Sequence, residues 1–485
     1  MPDVRLSCRL LSLLAGVFLA GCAVGPDYQR PAQDVGVAYA HAPAPAGQWR
    51  PAEPGIVRLE SAWWQGFNDP QLDELMTRLS AQNLDLVQAE AQYRQAQAAL
   101  ASSRAGLFPT LDASASRSRA GQGISSANNP ATNYSLSATA SWELDLWGRV
   151  RRGIEASRAG AQASQADLAA MRLSLQSTLA QTYFSVRTSQ QQDALLGQTY
   201  DEYQRALEMT RNRYAAGVAS SADVAAAQAQ LEQVRVQRIR LSWQREQSIH
   251  ALAVLVGQVP AHFNLPAGTM PAQAPEVPVG VPSVLLQHRP DIAAAERRVR
   301  EANARIGVAQ AAWFPDITLS AQGGYRAGEF ASWLLAPARF WTIGPALALS
   351  LFDGGARSAA VDSAQAGYDA QAAAYRKTVL DAMREVEDAL VQSASLVREQ
   401  AAQNRALAAS RETLRQVTNQ YKAGLVDYLS VVQAQASALS AEQNTLDLQA
   451  QRLTAAVLLM AALGGGYTQP SQDAAKAGQT PASAE

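Results

Sequence analysis

The residue whose surroundings prescribe a reaction is Cys22. Arg5 and Arg9 precede an apolar run from Leu10 to Ala20, which leads into Leu19-Ala20-Gly21-Cys22. A run this short has the form of a signal-peptide core, not of a membrane span. Leu-Ala-Gly-Cys is the bacterial lipobox, cut before a cysteine that then carries lipid. The alternative, an ordinary cysteine near the start, is disfavoured by this context. Residue 23 is Ala; an aspartate there would favour retention at the inner membrane, so the outer membrane is expected. Cys8 leaves with the signal, which makes Cys22 the only cysteine of the mature chain and rules out an intrachain disulfide.

Other chemistry is sparse. The chain has no P-loop, no Gly-x-Ser-x-Gly, no His-Glu-x-x-His and no cysteine pair with zinc spacing. His41, His250, His262 and His288 are scattered and share no motif. Asp291, after Arg289-Pro290, reads as a helix cap in preference to a ligand. Glu385, Glu387 and Asp388 read as a solvated helix face. Formal net charge is −1, so nothing points to nucleic acid. The expectation is no enzyme, no metal and no cofactor beyond the covalent lipid on Cys22.

The elements that hold these residues are unusually long. Arg149 to Ala216 reads as one helix, roughly 100 Å in length, with no proline. Leu175, Leu179, Thr182, Val186, Ser189, Asp193, Leu196, Tyr200, Tyr203, Leu207, Thr210 and Tyr214 alternate four and three apart, the repeat of a left-handed coiled coil. The element occurs twice. Tyr214-Ala-Ala-Gly217 and Tyr421-Lys-Ala-Gly424 lie 207 positions apart, and Val224, Ala227, Gln228 and Gly257 match Val431, Ala434, Gln435 and Gly464 at the same offset. Phe108-Pro109 matches Phe314-Pro315 at an offset of 206. A tandem duplication therefore covers most of the chain.

In order, the chain divides into a lipoprotein signal peptide (1–21), a lipid-anchored, Pro-rich extended strap (22–60), a first repeat (61–257), a Pro-rich linker (258–282), a second repeat (283–464) and a disordered tail (465–485). Each repeat reads as helix, two strands, long helix, helix. Asp69 and Pro70 suit the opening of a helix that continues from Leu72 to about Ala105. Residues 109–118 make a weak strand. Leu136, Ala138, Ala140, Trp142, Leu144 and Leu146 alternate with polar residues in a stronger one, and Ile317–Ala321 and Ile343–Leu351 repeat the pattern. Outside the signal no stretch is long and apolar enough for a membrane helix. Alternating strands cross a bilayer only as a closed barrel. One chain offers four; three copies give twelve, the smallest multiple with room for a channel. A soluble sheet with one wet face is the competing reading. The fold class is thus mainly α with a transmembrane β-barrel: long antiparallel coiled-coil helices forming an α-barrel, plus four membrane strands per chain.

Several stretches carry a family resemblance: Gly21-Cys-Ala-Val-Gly-Pro-Asp-Tyr28, Trp63-Trp-Gln-Gly-Phe-Asn-Asp-Pro70, Trp142-Glu-Leu-Asp-Leu-Trp-Gly-Arg149, Arg289-Pro-Asp-Ile292 and Phe352-Asp-Gly-Gly355. With these in order, the sequence resembles the TolC-like outer membrane factor family, in its lipoprotein (NodT-like) branch. The resemblance implies a homotrimer with a twelve-stranded barrel in the outer membrane and an α-barrel extending into the periplasm. It implies a passive duct docked to a periplasmic adaptor (membrane fusion) protein and an inner-membrane proton-driven (RND) drug pump. Type I protein secretion and a structural coiled-coil envelope lipoprotein are the alternatives. It also implies a periplasmic iris gate at the helix turns, which falls here on Arg213, Tyr214, Gly217, Asp223, Tyr421, Gly424, Asp427 and Tyr428. Ser430 and Gln433 stand where family members often carry aspartate.

Helix capping alone accounts for part of that set. Gly217 and Gly424 suit left-handed C-caps, and Ser220 and Asp427 suit N-caps with Asp223 and Ser430 three residues on. Arg213, Tyr421 and Tyr428 are poorly explained by capping. In a three-fold pore a ring of Asp223 would repel itself unless it bound cations or paired with a group such as Arg213.

Overall fold

A computed structural model describes residues 23–33, 36, 39–41, 62–121, 131–275, 277 and 288–467. Cys22, the signal peptide, most of the strap, the end of the linker and the tail beyond residue 467 lie outside the described residues. The main elements are α1 (Pro70–Gln82), α2 (Leu84–Ala105), β1 (Thr110–Ala120), β2 (Ala131–Glu143), α3 (Arg149–Ala215), α4 (Ser221–Leu255), α5 (Pro290–Ala311), β3 (Asp316–Ala327), β4 (Arg339–Ala348), α6 (Ala356–Lys422) and α7 (Tyr428–Ala462). Both long helices, α3 and α6, have 67 residues, and α4 and α7 have 35 each. Among the described residues no helix is long and apolar enough to cross a membrane.

Three sequence expectations need correction. The helix expected from Leu72 to Ala105 is two helices, broken at Asn83. Asn83 has extended backbone (φ −66°, ψ 127°); its N–H donates to the Leu79 carbonyl and its Oδ1 accepts from Leu86 N at 3.0 Å. Its Nδ2 also donates to the Leu255 carbonyl at 2.8 Å, so one buried residue closes three helix ends. The second strand stops at Glu143 and not at Leu146. Asp145 has turned to cap α3, accepting from Val150 N and Arg151 N at 2.9 Å each. The fourth strand likewise ends at Ala348, short of Leu351. There Asp353 has turned to accept from Gly355 N and Arg357 N at the start of α6.

The chain divides into two compact units. The first comprises Met1–Ala32, Gln92–Gln165 and Ala294–Arg376. Its centre is one antiparallel sheet in the order β1-β2-β3-β4. At the foot of that sheet Trp147 donates its indole N–H to the Pro315 carbonyl at 2.9 Å and stacks on Phe314. The start of the strap is held in the same unit. Buried Arg152 donates to the Val24 and Gly25 carbonyls and to Asp27. Tyr28 and Arg30 both reach Glu296. Val24 to Tyr28, within the described part of that sequence motif, are therefore a docking strip.

The second unit comprises Gln33–Ala91, Ala166–Ala293 and Lys377–Glu485. Its main core gathers Trp63, Phe67, Leu72, Met76, Leu79, Tyr183, Phe184, Val186, Leu252, Leu453 and Val457. Along the α3 seam Leu179, Val186, Ser189, Leu196, Tyr203, Leu207 and Thr210 are buried, while Tyr214 is exposed. Burying each such leucine contributes about 1.5–3 kcal/mol, so the 3.5-residue repeat has a packing cause. Gly257 (φ 70°) and Gly464 (φ 95°) follow α4 and α7 in the left-handed region. A Cβ on Gly257 would fall 2.3 Å from the Gln82 carbonyl oxygen, and one on Gly464 would fall 1.9 Å from that of His288. The duplication thus repeats a close backbone approach as well as a cap.

Candidate functional site

The sheet sorts its residues by face. Leu111 lies opposite Ala140, Ala140 opposite Ala321, and Ala321 opposite Ile343, so these share one face. By alternation that face also carries Leu136, Trp142, Leu319, Trp341 and Leu347. It is open to its surroundings: Leu111 is 77% exposed and Trp341 79%. The other face carries Ser114, Ser137, Thr139, Thr318, Ser320 and Gln322. There Ser114 Oγ is 3.1 Å from Ser137 Oγ, and Gln322 donates to Ser137 Oγ at 3.3 Å. One face suits lipid and the other water. β1 and β4 each have one edge unpaired among the described residues.

The helix turns form the second cluster. Past α3, Gly217 sits at φ 73°; Val218 N donates to the Arg213 carbonyl and Gly217 N to that of Tyr214, both at 2.9 Å. Past α6, Gly424 sits at φ 76° and Leu425 N donates to the Gln420 carbonyl. Ser220 and Asp223 form a reciprocal capping box. Asp427 caps α7, accepting from Ser430 Oγ at 2.7 Å and from Ser430 N at 3.0 Å. Those two bonds hold the exposed Asp427 carboxyl below the usual carboxylate range.

Capping therefore occupies both aspartates, and Ser430 is a partner of Asp427. The other residues do something different. The Arg213 guanidinium lies 4.7 Å from the centre of the Tyr421 ring, and the Tyr421 and Tyr428 rings are 5.4 Å apart at 58°. Both tyrosines are buried in a cluster with Tyr203, Leu207, Leu231, Val431 and Val432. Burial, and then the neighbouring Tyr421, push the Tyr428 phenol above its ordinary value. Arg213, Tyr421 and Tyr428 thus brace the turns from within one chain, while Tyr214 and Asp427 stay exposed. The Tyr421 hydroxyl and Arg213 Nε are buried without a hydrogen-bond partner among the described residues.

Sequence reasoning missed three fastenings. Glu385 and Glu387 are not merely a solvated face. Glu387 accepts from Ala40 N at 2.7 Å and from His41 Nδ1 at 3.0 Å, pinning the strap. Arg289 joins Asp291, Glu385 and the Ala462 carbonyl, so Asp291 is an ion-pair partner as well as a first-turn acceptor for Ile292 N. Arg187 is wholly buried against the Tyr183 ring and donates to Gln71, Gln190 and the Pro266 carbonyl. Only Arg289-Pro-Asp was visible as a motif. Among the described residues no group of His, Cys, Asp and Glu could hold a metal ion.

The family model for outer membrane efflux proteins matches residues 75–258 and again 281–465. The chain belongs to the outer membrane efflux protein family. The two matched stretches agree with the internal duplication. The toluene efflux pump outer membrane protein TtgC of Pseudomonas putida is 32% identical over 472 residues, covering 96% of this chain and 97% of that protein. The outer-membrane channel OprN has the same fold, with a TM-score of 0.84 at 32% identity, covering 93% of this chain and 100% of that one. MtrE of Neisseria gonorrhoeae, solved in an open state, gives 0.81 at 32% identity, with the same coverage of 93% and 100%. The chain is the outer-membrane exit duct of an efflux system.

Proposed function

We propose that three copies of this chain close one twelve-stranded barrel and form a passive duct for small molecules, loaded by an inner-membrane proton-driven pump through a periplasmic adaptor. The carrying observation is the four-stranded sheet with one apolar face, one polar face and two unpaired edges. Unpaired N–H and C=O groups inside a bilayer cost on the order of several kcal/mol each, so such a sheet must close on further copies. Four strands are too few to enclose a lumen, and twelve leave room for one. Relatives named as toluene and antibiotic efflux components support small-molecule cargo. Deleting the gene in its source bacterium should raise the steady-state accumulation of a fluorescent efflux dye, and a plasmid copy should restore export. Unchanged dye accumulation with loss of a secreted protein would assign the duct to type I secretion instead.

The turns at 214–224 and 421–431 are the gate in this reading, held by the Arg213–Tyr421–Tyr428 stack. A relative solved in an open state supports a duct with more than one state. Asp223 and Asp427 present their charge at the turns while capping α4 and α7.

Lipid on Cys22 is a second attachment and not the main one. Each buried CH₂ contributes about 0.8 kcal/mol, so several acyl chains would hold firmly, but the barrel is embedded without them. Cys22→Ala with a cleavable signal should remain in the outer-membrane fraction after folding. Recovery of that variant as a soluble periplasmic protein would refute the barrel along with the anchor's secondary role.

A further inference from the structure

The apolar face of the sheet does not stay apolar along its whole height. Near the helices it is carried by Leu111, Trp142, Leu319 and Leu347. At the other end, where the strands turn back, the same face carries arginine. Arg117 and Arg119 lie on it by alternation from Leu111, and Arg339 by alternation from Trp341. All three are exposed, and none has an ion-pair partner among the described residues. The imbalance is local. Residues 113–138 and 322–344 contain Arg117, Arg119, Arg326 and Arg339 against a single acid, Glu329.

Aromatic rings accompany these charges. Arg117 lies 5.6 Å from the centre of the Tyr134 ring and Arg339 5.8 Å from that of Tyr325. Tyr134 in turn packs against Phe330 and Trp333. A guanidinium lying over an aromatic ring keeps its N–H edge free, and that edge matches two oxygens of a phosphate. Tyrosine and tryptophan beside it suit the boundary between acyl chains and headgroups.

We propose that Arg117, Arg119 and Arg339 form an outward-facing belt that binds the phosphates of the outer-leaflet glycolipid. The proposal rests on the barrel reading, which makes this face the lipid-facing one and this end the external one. The helices adjoining the sheet leave from its opposite end, so they occupy the periplasmic side. Continuity with the lipid-facing band and the charge of the site select a membrane lipid as the occupant. β1 and β4 are the two edges of the sheet, so closure sets Arg339 of one copy and Arg117 and Arg119 of the next on neighbouring strands.

The test is native mass spectrometry of the detergent-purified protein titrated with lipid A, with lipid A stripped of both phosphates, and with inorganic phosphate as competitor. Bisphosphorylated lipid A should stay bound, and removal of its phosphates should weaken retention roughly tenfold or more. R117Q/R119Q/R339Q should weaken bisphosphorylated lipid A to the same degree. Equal retention of the two lipids by the natural protein, or of bisphosphorylated lipid A by the variant and the natural protein, overturns the proposal. Displacement of the lipid by excess inorganic phosphate would make this a free-anion site and overturn the lipid assignment. If the variant does not assemble, the two lipids compared on the natural protein still decide. The copy number is read in the same spectra, so failure of the barrel is seen separately from failure of the belt.

Discussion

Gly464→Ala should lose most of its folded protein, and Gly257→Ala should do nearly the same. Two costs add at each site. An alanine at φ 95° or 70° is held in the left-handed region, at about 1–3 kcal/mol. The new Cβ would also sit 1.9 Å from the His288 carbonyl oxygen, or 2.3 Å from that of Gln82. Neither obstacle is a flexible side chain. Each is backbone at a helix boundary, next to α5 in one case and between α1 and α2 in the other. Forcing them apart costs roughly a further 1–3 kcal/mol or more, so the total is a large part of a typical folding free energy. Differential scanning fluorimetry and folded yield read the result. A Gly464→Ala protein that melts within about a degree of the natural one would show that the close approach is not required.

The second large effect is on the proposed gate. Arg213→Gln with Tyr421→Leu should hold the duct open. On the proposed reading the stack is made only in the closed state; a stacked guanidinium contributes about 1 kcal/mol per copy, so its loss from three copies should favour the open state by roughly 3 kcal/mol, about a hundredfold in the open-to-closed ratio. Single-channel conductance in a planar bilayer measures this directly. Asp223→Asn and Asp427→Asn separate charge from capping, because an amide oxygen still accepts a backbone N–H. That pair should leave the gate's open fraction near its natural value while reducing cation selectivity and block by divalent cations. If the stack variant conducts like the natural protein, the two residues only pack the turns and the constriction lies elsewhere.

Much of the architecture was readable because it is periodic. The 3.5-residue seam of α3 needs only a run of sequence, and the strand pairs show themselves by alternation. The duplication then fixes each half against the other, down to Gly257 and Gly464. The turns were readable for a local reason, since a glycine C-cap and a Ser or Asp N-cap act within a turn of helix. What escaped depends on distance. Asn83 interrupts a helix whose apolar positions continue across it, and its third partner is the carbonyl of Leu255. Glu387 looks solvated until the strap lies on it, 346 residues away in sequence. Arg187 carries no visible partner in sequence because its acceptors are amide and carbonyl oxygens gathered by the fold. At the turns, Arg213, Tyr421 and Tyr428 stood out as residue types that caps do not require, but only the folded chain shows that the tyrosines stack inside it.

In the proposed duct, one open four-stranded sheet per chain closes by three-fold assembly. Native mass measurement of the protein extracted in mild detergent tests it most directly. The expected species is a trimer that persists on dilution. A stable monomer or dimer as the only folded species would contradict it, because four or eight strands cannot enclose an open lumen.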